Sequence, residues 1–528
     1  MNFVFPGNTQ NMDLLSQFSL FFLILMLLPV LTVAQTNSNI TLGSSPTASN
    51  DNSGSSLVSP SGEFAFGFRQ IGDQGFLLAI WFHKIPEKTI VWSANRDELV
   101  QRGSKVELTA DGFLVLRDAT GKQIWNAGPG GGVAYGAMLD TGNFVLAGQD
   151  YVNLWESFGL PTDTILPTQT MNQGSRLIAR ITDLNYSSGR FMFTLQPDGN
   201  LLLYTTKYPM ETANYAYWST QTSIGSGFQM IFNQSGYMYL IARNRSILNQ
   251  VFSNEVSTED FYQRATVNYD GVFSQYIYPK SSGSRAGNWP MAWSILSSIP
   301  SNICLSIKGD TGSGACGFNS YCSLGGDQRN MCQCPPGYTF FNPEDVMKGC
   351  KQNFVPQSCD KASEEMNLFE FSEMINTDWP LSDYEHYEAV SEDWCRQVCL
   401  TDCFCAVAVF RNGDCGKKRD PLSNGMFDPS IGGKALIKIR KDNSTISANS
   451  SSYYAYDCFR EGNLDLLVEK DEEAMNDMKR LKKFMMIAIW CIQEDPSLRP
   501  TMKKVTQMME GAVEVSPPPD PNPFISSK

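Results

Sequence analysis

The residues best suited to bind a ligand form one short run, Gln196-Pro197-Asp198-Gly199-Asn200-Leu201-Leu202-Leu203-Tyr204. Alternate side chains of a strand point to the same face, so two amides, a carboxylate and a phenol would lie side by side. These groups donate and accept hydrogen bonds, which is what vicinal hydroxyls require. The candidate binding residues are Gln196, Asp198, Asn200 and Tyr204. The alternative is that Asp198-Gly199-Asn200 is only a favourable turn, and Pro197 is unusual in a binding strand.

A turn followed by an apolar strand recurs along the first half of the chain. Besides the run above, it is found at Asp111-Gly112-Phe113-Leu114-Val115-Leu116, Thr141-Gly142-Asn143-Phe144-Val145-Leu146 and Ser235-Gly236-Tyr237-Met238-Tyr239-Leu240. Such repeats predict similar hairpins packed with pseudo-symmetry. Short apolar runs and Gly turns alternate without helical period from Gln35 to about Pro290, which predicts an all-β region. Because Pro161 and Pro167 interrupt the strand pattern, we expect two β domains divided near residues 156–175.

Other chemistries have little support in the composition. The net charge of -13 and the pI of about 4.8, without a basic stripe, argue against binding to nucleic acid. The two histidines, His83 and His386, leave few candidates for a histidine base or metal ligand. No carboxylate pair stands out at a spacing that suggests glycoside hydrolysis. We expect no cofactor and no metal.

The cysteines are concentrated late in the chain. None precedes Cys304, and thirteen of the fourteen lie between Cys304 and Cys458. Six of them fall between Cys304 and Cys350, a density that marks a small module stabilised by disulfides in a secreted protein. A zinc site is the alternative, which the oxidising compartment and the lack of a nearby histidine disfavour.

The N-terminal sequence predicts an export signal. An apolar segment from Leu14 to Leu31 precedes Thr32-Val33-Ala34, which predicts a signal peptide over residues 1–34, cleaved after Ala34. The segment departs from the usual pattern because Asp13 is present and no Lys or Arg precedes it; a membrane anchor or buried helix is the alternative. Secretion is also suggested by Asn-x-Ser/Thr sequons at Asn39, Asn185, Asn233, Asn244, Asn443 and Asn449. We expect a secreted or extracellular glycoprotein.

Several motifs carry a family resemblance. They are Ile80-Trp81-Phe82, Val91-Trp92-Ser93-Ala94-Asn95-Arg96, Trp155-Glu156-Ser157-Phe158 and Pro161-Thr162-Asp163-Thr164. They resemble the bulb-type lectin region of plant G-type (S-domain) lectin receptor-like Ser/Thr kinases. Bulb-type lectins hold mannose with a Gln-x-Asp-x-Asn-x-Val-x-Tyr strand, so the resemblance implies carbohydrate binding at Gln196 to Tyr204, with Leu202 in place of Val. The segments Thr109 to Arg117 and Asp140 to Asn143 depart from that pattern and are expected not to bind.

The resemblance also implies a mainly β fold and a domain order. Two tandem β-prism-like bulb lectin domains are followed by small disulfide-rich modules and a short α-helical kinase C-lobe remnant. The implied layout is a signal peptide over 1–34, a bulb-type lectin domain over 35–155, a second lectin-like domain of the S-locus-glycoprotein type over 156–295, an EGF-like module over 300–351, a PAN/apple module over 358–441, a linker over 442–455, the kinase remnant over 456–512 and a Pro-rich tail over 513–528.

The same resemblance selects a disulfide pattern, although the six cysteines of the EGF-like segment alone permit fifteen connectivities. The implied pairs are Cys304 with Cys322, Cys316 with Cys332, Cys334 with Cys350, Cys359 with Cys403, Cys395 with Cys415, and Cys399 with Cys405. The spacing from Trp394 to Leu400 predicts a short helix that two of these bridges would hold against a sheet. Cys458 and Cys491 lie outside both modules, and two unpaired thiols are favoured over a bridge.

The C-terminal part resembles the last helices of a kinase C-lobe, at Trp490-Cys491-Ile492-Gln493 and at Pro496-x-x-Arg499-Pro500-x-Met502. A helix is expected to begin at Pro500 and to end at Gly511. The Gly-rich loop, its Lys, the catalytic-loop Asp and the metal-binding Asp of kinases are missing, so we expect no phosphoryl transfer by this chain. The apolar residues Phe484, Met485, Ile487, Ile489 and Trp490 are expected to be exposed. The longest late apolar run, Phe484 to Ile492, has nine residues and predicts no membrane span.

Three functions follow as hypotheses. The chain is a secreted recognition module for a glycan, a glycoprotein or a peptide; or a decoy that binds no sugar and dimerises with full-length receptor kinases; or a truncated form of a membrane-bound receptor kinase.

Overall fold

A computed structural model describes residues 39–49, 56–206, 213–222, 226–281, 289–308, 312–326, 329–360, 362–380, 382–441, 456, 458–460, 464–468, 475, 477–493, 498–519 and 521. The expected signal peptide and the sequons at Asn443 and Asn449 lie outside these residues. The chain divides into two compact units, one of residues 1–90 with 100–156 and the other of residues 91–99 with 157–528. Each unit is described by itself below.

The first unit is built from short antiparallel strands in three sheets. The strands are β1 (Asn39–Thr41), β2 (Leu57–Val58), β3 (Phe64–Ile71), β4 (Gly75–Phe82), β5 (Ile90–Ser93), β6 (Lys105–Leu108), β7 (Leu114–Arg117), β8 (Gln123–Ala127), β9 (Tyr135–Met138), β10 (Phe144–Ala147) and β11 (Asn153–Glu156). The sheet orders are β2-β3-β4-β5, β6-β7-β8 and β1-β9-β10-β11. Phe66 of β3 stacks on Phe144 of β10 with ring centroids 4.1 Å apart, so the core lies between the sheets. After Ile90, β5 leads the chain into the second unit.

The second unit begins with another domain of three sheets, each with four strands. The strands are β12 (Thr164–Ile165), β13 (Thr170–Asn172), β14 (Arg176–Arg180), β15 (Ser188–Leu195), β16 (Leu201–Thr206), β17 (Ala213–Ser219), β18 (Gln229–Phe232), β19 (Met238–Ile241), β20 (Ile247–Phe252), β21 (Phe261–Val267), β22 (Phe273–Pro279) and β23 (Ser294–Ile299). The orders are β12-β21-β22-β23, β13-β18-β19-β20 and β14-β15-β16-β17. Phe193, Phe252 and Phe273 stack at its centre. We call this region the second β domain.

Two disulfide-bonded segments follow, the first disulfide module (residues 304–350) and the second disulfide module (residues 359–440). Their elements are α1 (Ile303–Ser306), β24 (Tyr321–Leu324), β25 (Asn330–Gln333), β26 (Tyr338–Phe340), β27 (Cys350–Gln352), α2 (Ala362–Glu365), β28 (Phe369–Ile375), β29 (Thr377–Asp378), β30 (Asp383–Tyr387), α3 (Glu392–Leu400), β31 (Val407–Arg411), β32 (Asp414–Lys418), β33 (Met426–Phe427) and β34 (Lys434–Arg440). The largest sheet has the order β28-β34-β31-β32-β30.

The structure contains the six disulfides that the resemblance implies. They join Cys304 to Cys322, Cys316 to Cys332, Cys334 to Cys350, Cys359 to Cys403, Cys395 to Cys415, and Cys399 to Cys405. The predicted short helix is α3, where the Ser391 hydroxyl accepts a hydrogen bond from the Trp394 amide. Two of the bridges join it to β32 and to the segment before β31.

The two disulfide modules share a sheet, of order β25-β24-β33-β29. The Asn319 amide donates to Leu422 O at 2.7 Å, and the Leu422 amide donates back to Asn319 Oδ1 at 2.6 Å. The indole of Trp379, fully buried, donates to Ser320 O at 2.8 Å. The modules therefore form one continuous structure, which spacing along the sequence did not indicate.

The C-terminal part contains two helices, α4 (Met478–Cys491) and α5 (Met502–Glu510). Helix α5 ends at Gly511, whose φ of 81° is left-handed, in agreement with the predicted end. The expected exposure is wrong for Ile487 and Ile489, which are buried. Ile487 is covered because α5 supplies Val505 and Met508 as its packing partners. Cys458 and Cys491 are free thiols. Across the described residues, no helix has the length and apolar character that crossing a membrane requires.

Candidate functional site

The candidate binding residues lie on the hairpin between β15 and β16. The Gln196 amide donates to Asn200 O and the Gly199 amide donates to Gln196 O, both at 2.9 Å. Gly199 has a φ of 85°, which favours glycine. A side chain there would also meet the backbone of Gly227. Close backbone approach therefore fixes the hairpin in one conformation.

Two of the four predicted side chains contact each other directly. Gln196 Nε2 donates to the Tyr204 hydroxyl at 2.7 Å, across eight residues of sequence. Burial raises the pKa of the Tyr204 phenol, so it stays neutral and can both donate and accept near neutral pH. The amide and the phenol form a polar pair along the half-buried part of the hairpin.

The other two predicted side chains, Asp198 and Asn200, differ in their exposure and in their hydrogen bonds. Asp198 is exposed, and its Oδ1 accepts a hydrogen bond from the Asn200 amide at 3.0 Å. Asn200 Oδ1 accepts from Thr220 Oγ1 at 3.1 Å and from the Thr222 amide at 3.3 Å. Asn200 therefore also supports the fold through its oxygen, whereas the carboxylate of Asp198 faces solvent. Leu202 is 7% exposed and offers little surface to a ligand.

The hairpin of Asp140 and Asn143, expected not to bind, forms its side-chain hydrogen bonds within the first unit. Asp140 Oδ1 accepts from the Ser61 amide at 2.8 Å. Asn143 is buried, and its Nδ2 donates to Glu156 Oε2 at 3.0 Å. Asp140 is exposed, as Asp198 is, so this hairpin differs from the one at Gln196 in its buried amide.

Sequence reasoning missed one more hairpin, between β21 and β22. The Tyr276 hydroxyl donates to Asn268 Oδ1 at 2.8 Å, again across eight residues, which repeats the pairing of Gln196 with Tyr204. The signal available in the sequence was Asn268-x-Asp270-Gly271, with Tyr276 eight residues after Asn268 in the same alternation. Asp270, which corresponds to Asp198, is 1% exposed and bound by Arg329 Nε at 2.6 Å. The first disulfide module thus covers the carboxylate of this hairpin.

Of the hairpins compared above, only the one at Gln196 combines the polar pair with an exposed carboxylate. A sequence profile described as D-mannose binding lectin matches residues 89–180. A G-type lectin S-receptor-like serine/threonine-protein kinase of Oryza sativa subsp. japonica is 43% identical over 447 residues, which cover 81% of this chain and 54% of the rice protein. The chain belongs to the G-type lectin S-receptor-like kinase family.

A second member of the family, from Arabidopsis thaliana, is 39% identical over 430 residues, which cover 76% of this chain and 50% of that protein. The chain therefore spans about half the length of these relatives. Among solved structures, the two-domain fetuin-binding agglutinin of Scilla campanulata is 16% identical, with a TM-score of 0.18. The matched region covers 44% of this chain and 98% of the agglutinin chain. A snowdrop agglutinin complexed with methyl-α-D-mannoside is 16% identical, with a TM-score of 0.17, and covers 24% of this chain and 99% of its own.

The motif that suggested the G-type lectin family has a clear role in the second unit. Arg96 Nη1 donates to Ile178 O at 2.8 Å, and its Nε donates to Tyr186 O at 2.7 Å. Trp92 Nε1 donates to Leu160 O at 2.8 Å. Residues 91–99 belong to the second unit, and the layout with a bulb-type lectin domain over residues 35–155 stays a prediction. The polar side chains of the motif satisfy backbone carbonyls of the second unit.

Proposed function

We propose that this chain is an extracellular recognition module that binds a mannose-like carbohydrate at the Gln196 hairpin and carries out no catalysis. The observation that carries the proposal is the exposed carboxylate of Asp198 beside the hydrogen-bonded pair of Gln196 and Tyr204. A carboxylate, an amide and a phenol along one edge can bind vicinal hydroxyls. The open, shallow hairpin suits a weak sugar site rather than a deep pocket.

Export is part of the same proposal. Six disulfides are typical of proteins that fold in an oxidising compartment. The sequons at Asn39, Asn185 and Asn244 are exposed and the one at Asn233 is half-buried, so the first three are the best placed to carry glycans. We propose that the two disulfide modules are the EGF-like and PAN/apple modules.

The absence of catalysis is also a proposal, supported by the printed sequence. Kinases need a catalytic-loop His-Arg-Asp and a metal-binding Asp-Phe-Gly. His83 is followed by Lys84, His386 is followed by Tyr387, and Asp-Phe-Gly does not occur. The kinase activity in the name of the relatives is therefore not assigned to this chain.

A glycan array tests the sugar site. The full chain should bind mannose-containing glycans, and Asp198→Ala should reduce the signal at least about tenfold, the equivalent of about 1.4 kcal/mol. Asp198→Asn keeps an oxygen for the Asn200 amide and should also lose binding, because the charge is removed. Asp118→Ala is the matched control, since Asp118 Oδ1 accepts from the Thr120 amide at 2.9 Å in an exposed turn without the motif.

Equal signals from the parent chain and both Asp198 variants would reject the sugar site. A protein that is folded but silent on the array would favour the decoy hypothesis, in which the chain pairs with receptor kinases. Co-purification with a full-length family member would then be the next measurement.

A further inference from the structure

The guanidinium of Arg264 lies over two aromatic rings of the second β domain, which meet edge to face with their centroids 6.5 Å apart. It is 4.3 Å from the ring centroid of Tyr276, its cross-strand neighbour, and 4.7 Å from that of Trp293. Its Nη1 donates to Thr266 Oγ1 at 2.9 Å. Its Nε is buried without a hydrogen-bond partner. Arg264 as a whole is only partly buried.

Nothing within the described part of the chain forms an ion pair with Arg264. The negative charge of Asp163 acts on Arg264, but Asp163 is already paired with Arg180 Nε at 3.0 Å. Asp163 Oδ1 also accepts from Thr164 Oγ1 at 2.8 Å. Burial lowers the pKa of Arg264 to about 10, and the positive charge of Arg180 contributes to the decrease. The charges of three guanidiniums, those of Arg180, Arg96 and Arg264, act on Asp163. Asp183 is a second carboxylate near Arg180, so the positive charge is in excess.

A cation in such a place binds an anion in preference to a neutral group. The planar guanidinium matches a carboxylate with two parallel hydrogen bonds. Trp293 beside it is partly exposed, and an indole is the kind of ring against which the C–H face of a sugar packs. Together the guanidinium of Arg264 and the indole of Trp293 have the chemistry that recognises an acidic sugar.

We propose that Arg264 and Trp293 bind a carboxylate-bearing saccharide, with the buried Tyr276 ring packed against the guanidinium, at a site separate from the Gln196 hairpin. The two sites lie on different sheets, β12-β21-β22-β23 and β14-β15-β16-β17. The second site is therefore independent of the first, and either can be lost alone.

The test measures binding of the full chain to oligomers of galacturonic acid and to the same oligomers reduced to neutral sugars, by isothermal titration calorimetry. The parent chain should bind the acidic oligomers at least about tenfold more tightly, and added salt should weaken this binding. Arg264→Gln should remove the preference. Arg243→Gln is the matched control, because Arg243 is exposed and lies over the Phe228 ring at 4.7 Å elsewhere in the same domain.

Arg264→Lys keeps the positive charge beside the two rings. It provides a second test in case Arg264→Gln does not fold. It should fold with a thermal unfolding midpoint close to that of the parent and still bind the acidic oligomers several-fold more weakly, since the planar fork is lost. Asp198→Ala should leave acidic-sugar binding intact, which separates this site from the mannose site. Equal binding of acidic and neutral oligomers, or unchanged binding by both Arg264 variants, would overturn the proposal. Binding of sulfated but not carboxylated oligomers would overturn the carboxylate assignment.

Discussion

Asp270 and Arg329 form an ion pair, with 2.6 Å between Oδ2 and Nε, that joins the second β domain to the first disulfide module. The Asp270 side chain is 2% exposed and that of Arg329 is 28% exposed. Arg329 also lies over the Tyr269 ring at 5.0 Å, and Asn330 Nδ2 donates to Asp270 O at 3.3 Å. The Asp270 hairpin thus connects the second β domain to the first disulfide module. The related hairpin at Gln196 keeps its carboxylate exposed.

Breaking the ion pair of Asp270 and Arg329 should lower the free energy of unfolding. In Asp270→Asn the guanidinium of Arg329 loses its counter-charge, and a broken buried pair typically costs roughly 3 kcal/mol. Chemical denaturation should show that loss in the free energy of unfolding. The control is Glu373→Gln, which removes a half-exposed partner of Arg396 and Lys434 and should cost less than about 1 kcal/mol. A similarly small change in the free energy of unfolding of both variants would contradict the structural role of the Asp270–Arg329 ion pair.

Stability should depend on pH through Asp420. Burial raises the pKa of Asp420 to about 6 from 3.8, although the Tyr338 hydroxyl and the charges of Arg499 and Lys438 oppose the increase. The folded state therefore binds the proton more tightly than the unfolded state. The stabilisation is complete below about pH 4 and is lost as the pH rises through 6, by up to about 3 kcal/mol.

Asp420→Asn should flatten that part of the pH profile, because its side chain does not titrate. Thermal unfolding midpoints between pH 4 and pH 7 measure the effect, with the parent chain run in the same buffers. A profile in which the variant and the parent change in parallel would show that another group is responsible.

Lys438 should stabilise the second disulfide module through its hydrogen bonds. Its Nζ is buried and donates to Gln357 Oε1 at 2.8 Å, Cys399 O at 3.1 Å and Asp402 O at 2.7 Å. Lys438→Met leaves these acceptors without their donor and should cost about 1–3 kcal/mol. Lys441→Met is the control, since Lys441 Nζ donates to Asn367 O in an exposed position. If denaturation midpoints fall equally for both, the buried hydrogen bonds are not the cause.

Gly199 should be irreplaceable in the binding hairpin. Gly199→Ala combines a φ of 85° with a clash against the backbone of Gly227. Gly174→Ala meets the same strain, with a φ of 87°, but nothing lies within 4 Å of the added carbon. The control should cost about 1–2 kcal/mol, and Gly199→Ala should cost more and also abolish sugar binding. Equal unfolding free energies would mean that the hairpin yields to the added atom.

The sequence by itself determined the local features of this protein. Turn residues and alternation predicted the hairpins, and the pattern from Trp394 to Leu400 predicted α3. The six disulfides in the structure are the pairs that the resemblance implied. These features depend on neighbours a few residues apart or on a pattern shared by a family, so they can be read from the chain.

Tertiary structure alone decided which residues meet across the chain. Arg96 bonds to a carbonyl 82 residues away, and Arg329 reaches a carboxylate 59 residues away. Ile489 is buried although its helix alone suggested exposure. The physical reason is that side-chain periodicity fixes which face a residue occupies, whereas the packing of distant segments fixes what covers that face. The Gln196 hairpin was therefore found from its residues, and its difference from the Asp270 hairpin was visible only in the fold.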